Sequence, residues 1–155
     1  MKYLDVSTLS TDKIHPVLNA AGLDSQNSTK ATVVMWFLMD VFHSRHLLHK
    51  MKKCSSQQCP CCISPQEDIP HILLFCEGYQ DIRETYLVEL TFLNRNIVRY
   101  SDNAEILITA ILDPESPKLP DDIRLSWNSV DKIYEISRNF CYNIYMKREK
   151  IIKDL

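Results

Sequence analysis

Glycine is almost missing from this chain: Gly22 and Gly78 are the two among 155 residues. Few positions can therefore take a positive φ at low cost, which argues against tight hairpins and Gly-rich phosphate loops and leaves the helix as the default element. Long hydrophobic runs are missing too. The longest, "VVMWFLM" at 33–39, falls well short of the ~20 residues that span a bilayer. No basic start leads into an apolar stretch and a small-residue cleavage site, so the chain reads as soluble and intracellular, in nucleus or cytoplasm, with no membrane partner. An excess of positive charge is also lacking. Lys and Arg number 18 against 20 Asp and Glu, a formal charge of −2, and the total alone argues no nucleic-acid role.

What is present is ordinary globular material, 45% apolar and 25% charged, enough for one domain over 1–155 with a real core. From Ser28 to Lys53, apolar groups at Val34, Phe37, Leu38, Val41, Phe42 and Leu48 keep near-helical spacing with no Gly or Pro. One long helix is expected there, although its β-branched, aromatic middle also suits a buried strand. Residues 1–27 read as irregular up to the caps at Ser28 or Thr29. The period returns in "EGYQDIRETYLVELTFL", and a shorter helix should start at Ser101 or Asp102 and stop before Pro114. Three prolines in "DPESPKLPDD" predict an extended connector. The last segment, 122–155, predicts one long amphipathic helix carrying Trp127, Val130, Ile133, Tyr134, Phe140, Cys141, Ile144, Tyr145, Ile151 and Leu155. The expected class is mainly α: a small helical domain with a zinc knuckle at 59–76 between long amphipathic helices.

Four of the six cysteines fall within "CPCCISPQEDIPHILLFC", residues 59–76. A C-x2-C turn delivers two thiolates to one ion, and structural zinc wants four N or S donors at tetrahedral corners. Cys59, Cys62, His71 and Cys76 form the pattern C-x2-C-x8-H-x4-C, with His71 and Cys76 on a helix that begins near Pro70. In a reducing compartment this reads better as a Zn2+ site than as disulfides. Cys61 is expected to be an ordinary loop residue and Cys54 a spare thiol, each within reach as a substitute ligand. Cys141 reads as core. Glu67 and Asp68 read as a solvated surface pair.

Just before the cluster, "HSRHLLHKMKK" at 43–53 holds Arg45, Lys50, Lys52 and Lys53 with three histidines and no acid. Cations grouped this way suit phosphates, and exposed Trp or Tyr could stack on unpaired bases. With Arg83 they are the candidate contacts to RNA or DNA. No enzyme is expected: four protein ligands leave no open metal position, and the Cys and His residues that could form a nucleophilic pair are better used as ligands. Nothing calls for a small-molecule substrate.

These residues carry a resemblance. "CPCC" followed by "EDIPHILLFCEGYQDIR" resembles the zinc-binding region downstream of the reverse transcriptase domain in animal non-LTR (LINE-type) retrotransposon polyproteins. That family has a C-P-x-C turn, an acidic pair, an H-x-L-x-x-C helix start, then an aromatic and an arginine. Here the pattern falls on Cys59, Pro60 and Cys62, then Glu67 and Asp68, then His71, Leu73 and Cys76, then Tyr79 and Arg83. "DKIHPVL", "AILDP" and "YEISRNFCYNIYMKR" are similar to flanking stretches of that region, so the resemblance covers most of the chain. It implies a nucleic-acid-binding C-terminal domain, with the reverse transcriptase part of the parent polyprotein as a partner. No polymerase activity is expected of this chain, because Asp40 in "FLMDVF" has no second aspartate beside it to hold paired metal ions.

Overall fold

The computed structural model describes residues 16–17 and 24–155, so most of the segment expected to be irregular at 1–27 lies outside the described residues. The order is α1 (Ser25–Leu38), α2 (Arg45–Lys50), a π-helical turn (His71–Phe75), a 3-10 turn (Glu77–Tyr79) and α3 (Gln80–Leu93). A second 3-10 turn (Arg95–Tyr100), α4 (Ala104–Leu112), α5 (Asp121–Arg124) and α6 (Val130–Lys153) follow. Among the described residues there is no β-strand, and the chain is mainly helical. Among the described residues, no helix is long and apolar enough to cross a membrane.

α6 is the central element, packing on α1 and on α3. Its buried stripe runs through Ile133, Ile136, Phe140, Cys141 and Ile144. Phe140 stacks on Tyr86 of α3 at 4.2 Å between ring centroids, and the Tyr86 hydroxyl lies 3.0 Å from Ser137 Oγ. Val33, Val34, Phe37 and Leu38 of α1 join the same cluster of buried side chains, as do Ile108 and Ile111 of α4.

The single helix expected over 28–53 is broken into α1 and α2. Each half ends in a Schellman-type turn, in which a left-handed residue lets the next amide bond back five residues. After α1 the turn residue is Asp40, at φ 57, and Val41 N donates to Trp36 O at 2.9 Å. After α2 it is Lys52, also at φ 57, and Lys53 N donates to Leu48 O at 2.8 Å. Glycine usually marks such turns, and here neither turn carries one. The break lets Phe42 fold back and stack on Phe37 at 4.1 Å.

The terminal segment is also divided. Asn128 donates from its backbone to Leu93 O and from its side chain to Phe92 O, closing the end of α3. Ser129 then caps α6 by accepting from Lys132 N. The proline-rich connector is packed rather than extended. Asp113, Ser116 and Leu119 are buried, and Pro114 O accepts from Trp127 Nε1 at 2.8 Å.

Glu67, expected at the surface, has no exposure at all, and Arg148 of α6 is buried with it. Arg148 Nε donates to Glu67 Oε1 at 2.7 Å and Nη2 to Oε2 at 2.8 Å, a two-point pair that joins the cysteine loop to α6. Nη2 also reaches His43 O at 3.0 Å, and Glu67 Oε2 accepts from Arg45 N at 2.7 Å. Burial pulls the guanidinium pKa down, but hydrogen bonding to and attraction by Glu67 more than offset it, so the net shift is upward. Removing one partner strands a buried charge. Arg148→Met should therefore cost about 3–5 kcal/mol in urea unfolding. Replacing Glu67 and Arg148 together with apolar residues should recover most of that loss; a double variant as unstable as the single would argue against this assignment.

Candidate metal centre

The site is built on a loop and a turn. Asp68 Oδ1 accepts from His71 N at 2.9 Å and so caps the turn that carries His71. Asp68 is thus a structural cap rather than a free surface carboxylate. The turn itself is π-helical, and Cys76 N donates to His71 O at 2.7 Å, five residues back. This widening matters. In a regular α-helix, residues five apart point about 140° away from each other. A wider turn with a five-residue bond brings His71 and Cys76 back to one side.

One ligand atom each from Cys59, Cys62, His71 and Cys76 falls in a group within 4.8 Å of one another, and these residues could hold a metal ion. Cys59 Sγ and Cys76 Sγ are 3.7 Å apart, much too far for the ~2.05 Å bond of a disulfide. Cys62 Sγ lies 3.4 Å from His71 Nε2. All six cysteines are free thiols. Hydrogen bonding with Cys59, then with Cys61, and then burial push the Cys76 thiol well above its ordinary pKa. An incoming cation must therefore displace protons, and its affinity falls as pH falls.

The other cysteines fall outside this group. Cys54 Sγ donates to Ser56 O at 3.1 Å and is not one of the group. Cys141 is fully buried on α6, and burial raises its thiol pKa. Cys61 is more than a loop filler: its N–H donates to Cys59 Sγ at 3.4 Å, and its own Sγ sits 2.9 Å from Tyr79 OH.

Arg83 is 9% exposed, and its Nη2 donates to Cys76 O at 2.7 Å. This removes it from the set of phosphate contacts. A divalent ion with three thiolates and a neutral imidazole carries one net negative charge, and Arg83 supplies a cation beside it. Burial lowers the Arg83 pKa, with Cys76 and Glu84 opposing. The remaining predicted contacts stay available. Lys50, Lys52 and Lys53 are exposed and Arg45 is half-buried, and none of the four forms an ion pair with another described residue. Arg148 escaped the sequence reading, although a charge one turn beyond Ile144 on an apolar stripe was a usable signal.

Set against family models, curated proteins and solved structures, the chain matches none of them.

Gly78 has a steric role here. A Cβ on it would fall 2.7 Å from Cys61 Cβ and 3.6 Å from Cys76 Sγ. Gly78→Ala should push the cysteine loop away from Cys76, costing about 1–3 kcal/mol. Thermal unfolding and chelator competition measure this, and unchanged metal affinity would refute so tight a fit.

Proposed function

We propose that the chain is a zinc-organised nucleic-acid-binding module without catalytic activity of its own. It resembles the C-terminal region of LINE-type retrotransposon polyproteins in the wording of its ligand motif. Zinc suits the donor set: three soft thiolates and an imidazole favour it over Mg2+ or Ca2+. Tetrahedral bonds of zinc length require about 3.8 Å between sulfurs and about 3.5 Å between sulfur and nitrogen. The separations of 3.7 Å and 3.4 Å are close to both. Four protein donors fill the coordination sphere, so the ion's role is to hold structure.

The observation that carries the nucleic-acid reading is the cationic turn beside the cysteine loop. Lys50, Lys52 and Lys53 crowd the end of α2 and its left-handed turn, exposed and without acidic partners among the described residues. A cavity of about 250 Å³ precedes α2 in the chain at His43 and is lined by Trp36, Val41, Phe42, His43, Tyr145, Arg148 and Glu149. Its rings suit an unpaired base while the lysines meet flanking phosphates. A protein-interaction role is the second reading. The apolar stripe of α6 is spent inside the chain, so that reading rests on Val88 and Phe92, exposed one turn apart on α3.

Protein purified without added zinc should carry one ion per chain by elemental analysis. Cys62→Ser should lose both the ion and helical circular dichroism, and acidification should release zinc from the parent; a metal-free chain with full helicity refutes the zinc assignment. Anisotropy titrations with single-stranded RNA or DNA should give a log affinity that falls with log salt by about 0.7 per phosphate contact. Lys50→Glu and Lys53→Glu should flatten that slope, and Trp36→Ala should weaken binding about tenfold at unchanged slope. Binding undetectable even at low salt would sink the nucleic-acid reading.

A further inference from the structure

The cavity lined by Trp36, Phe42 and Tyr145 holds a group that stacking does not use. Trp36 and Tyr145 meet in a T-shaped contact, 5.7 Å between ring centroids, and Phe42 and Tyr145 do the same at 6.4 Å. A T-shaped contact leaves at least one of its two rings with both faces clear of the other, and Trp36 stays 37% exposed, so a flat ring can still stack here. The volume of about 250 Å³ lies just below the ~300 Å³ at which drug-sized sites begin, which suits a single base rather than a whole nucleotide. Among these rings stands one carboxylate, Glu149, one turn after Tyr145 on the same side of α6. Its side chain is 36% exposed, and its ion-pair contact among the described residues is Arg148 Nη1 at 3.9 Å, too long for a hydrogen bond. Arg148 itself is committed through Nε and Nη2 to Glu67 and His43 O. Glu149 therefore keeps its acceptors to offer.

We infer that the unpaired base taken by this cavity is guanine, read on its Watson–Crick edge by Glu149. The inference rests on the nucleic-acid reading and names the base which that reading leaves open. A carboxylate only accepts, and its two oxygens sit side by side. Guanine alone among the common bases places two donors next to each other on that edge, N1–H and the N2 amine, so both oxygens are met at once. Adenine and cytosine each set one amine beside a bare ring nitrogen, which puts a lone pair against the second oxygen. Uracil and thymine have a single N3–H flanked by two carbonyls. A carboxylate in the lining also faces a polyanion, a repulsion that only a base with donors to spare offsets. Unpaired bases are commonly read by stacking on aromatic rings and by hydrogen bonds to this edge; here Trp36 supplies the stacking and Glu149 the choice.

Anisotropy titrations of the full chain with uridine nonamers carrying one central guanine, adenine, cytosine or uracil test this. The guanine nonamer should bind about tenfold tighter than the all-uridine one, as two aligned bonds to a base edge allow. Inosine at the same place lacks the N2 amine and should bind more weakly than guanine. Glu149→Gln, at a part-exposed position, keeps the shape but exchanges one acceptor for a donor, and should bring the guanine nonamer down to the all-uridine affinity. The sign separates base reading from general electrostatics. Removing an anion strengthens contacts to phosphate, so a loss confined to guanine reports the base edge. Equal affinity for all four nonamers would overturn the inference and leave the nucleic-acid reading standing, and so would a full guanine preference in Glu149→Gln. If none of the nonamers binds even at low salt, the nucleic-acid reading fails and this inference falls with it.

Discussion

A carboxylate with no exposure, gripped at two points by an arginine on another element, is the constraint on which this architecture turns. Glu67 belongs to the cysteine loop and Arg148 to α6, and 81 residues of sequence separate them. Around them the backbone is sewn together: Glu67 N donates to Gln57 O, and His46 N donates to Glu67 O. Arg45 N and His43 O complete the shell. The pair therefore joins three segments: the cysteine loop at Gln57, the stretch 43–46 at the start of α2, and α6. A buried pair of this kind is weak evidence of net stability, because desolvating two charges offsets much of their attraction. Its physical effect is to specify which segments meet, since any other arrangement leaves a charge unpaired in the interior.

The loop needs such devices because it has almost nothing else. Among residues 51–68 only Cys59 and Glu67 are buried, one a proposed metal ligand and the other the anchored carboxylate. Ordering each residue costs about 1–2 kcal/mol of backbone entropy, and this stretch offers little apolar surface to offset it. The group that could hold a metal ion lies at one end and the ion pair at the other, and they involve the two residues that face inward. The charges are also complementary across the site. Three thiolates around a divalent ion leave a net negative charge, and Arg83, tied to Cys76 O, supplies the opposite sign.

The sequence disclosed the group that could hold a metal ion because such chemistry is carried by residue type and spacing, and Cys59, Cys62, His71 and Cys76 do converge. Helix content was equally legible, since apolar periodicity is a local property of the chain. The break in the helix expected over 28–53 was misread for one reason. Schellman turns normally announce themselves by glycine, and Asp40 and Lys52 take the left-handed conformation without one. The split ahead of α6 did leave a trace in Ser129, an ordinary N-cap residue. Glu67 left none. A carboxylate in a loop is buried only if a distant cation meets it, and no local pattern reports a contact across 81 positions. Arg83 shows the same limit: its charge suggested a surface, whereas its helix face turns it toward Cys76.

These dependencies bear on how the cationic turn is held. α2 is only six residues long, too short to persist by intrinsic propensity. Its start is fixed by Ser44, which accepts from Leu47 N, and by Arg45 N bonding to Glu67. His46 Nδ1, 3.1 Å from Gln57 Oε1, ties it to the cysteine loop. None of its residues is fully buried, so α2 keeps its place through these polar bonds. Glu67 and Gln57, the partners that orient α2, belong to the same loop as Cys59 and Cys62, so an ion held by those cysteines would steady α2 as well. The cysteine loop and the lysines at 50, 52 and 53 are therefore one mechanical unit, coupled through hydrogen bonds rather than through a shared apolar core.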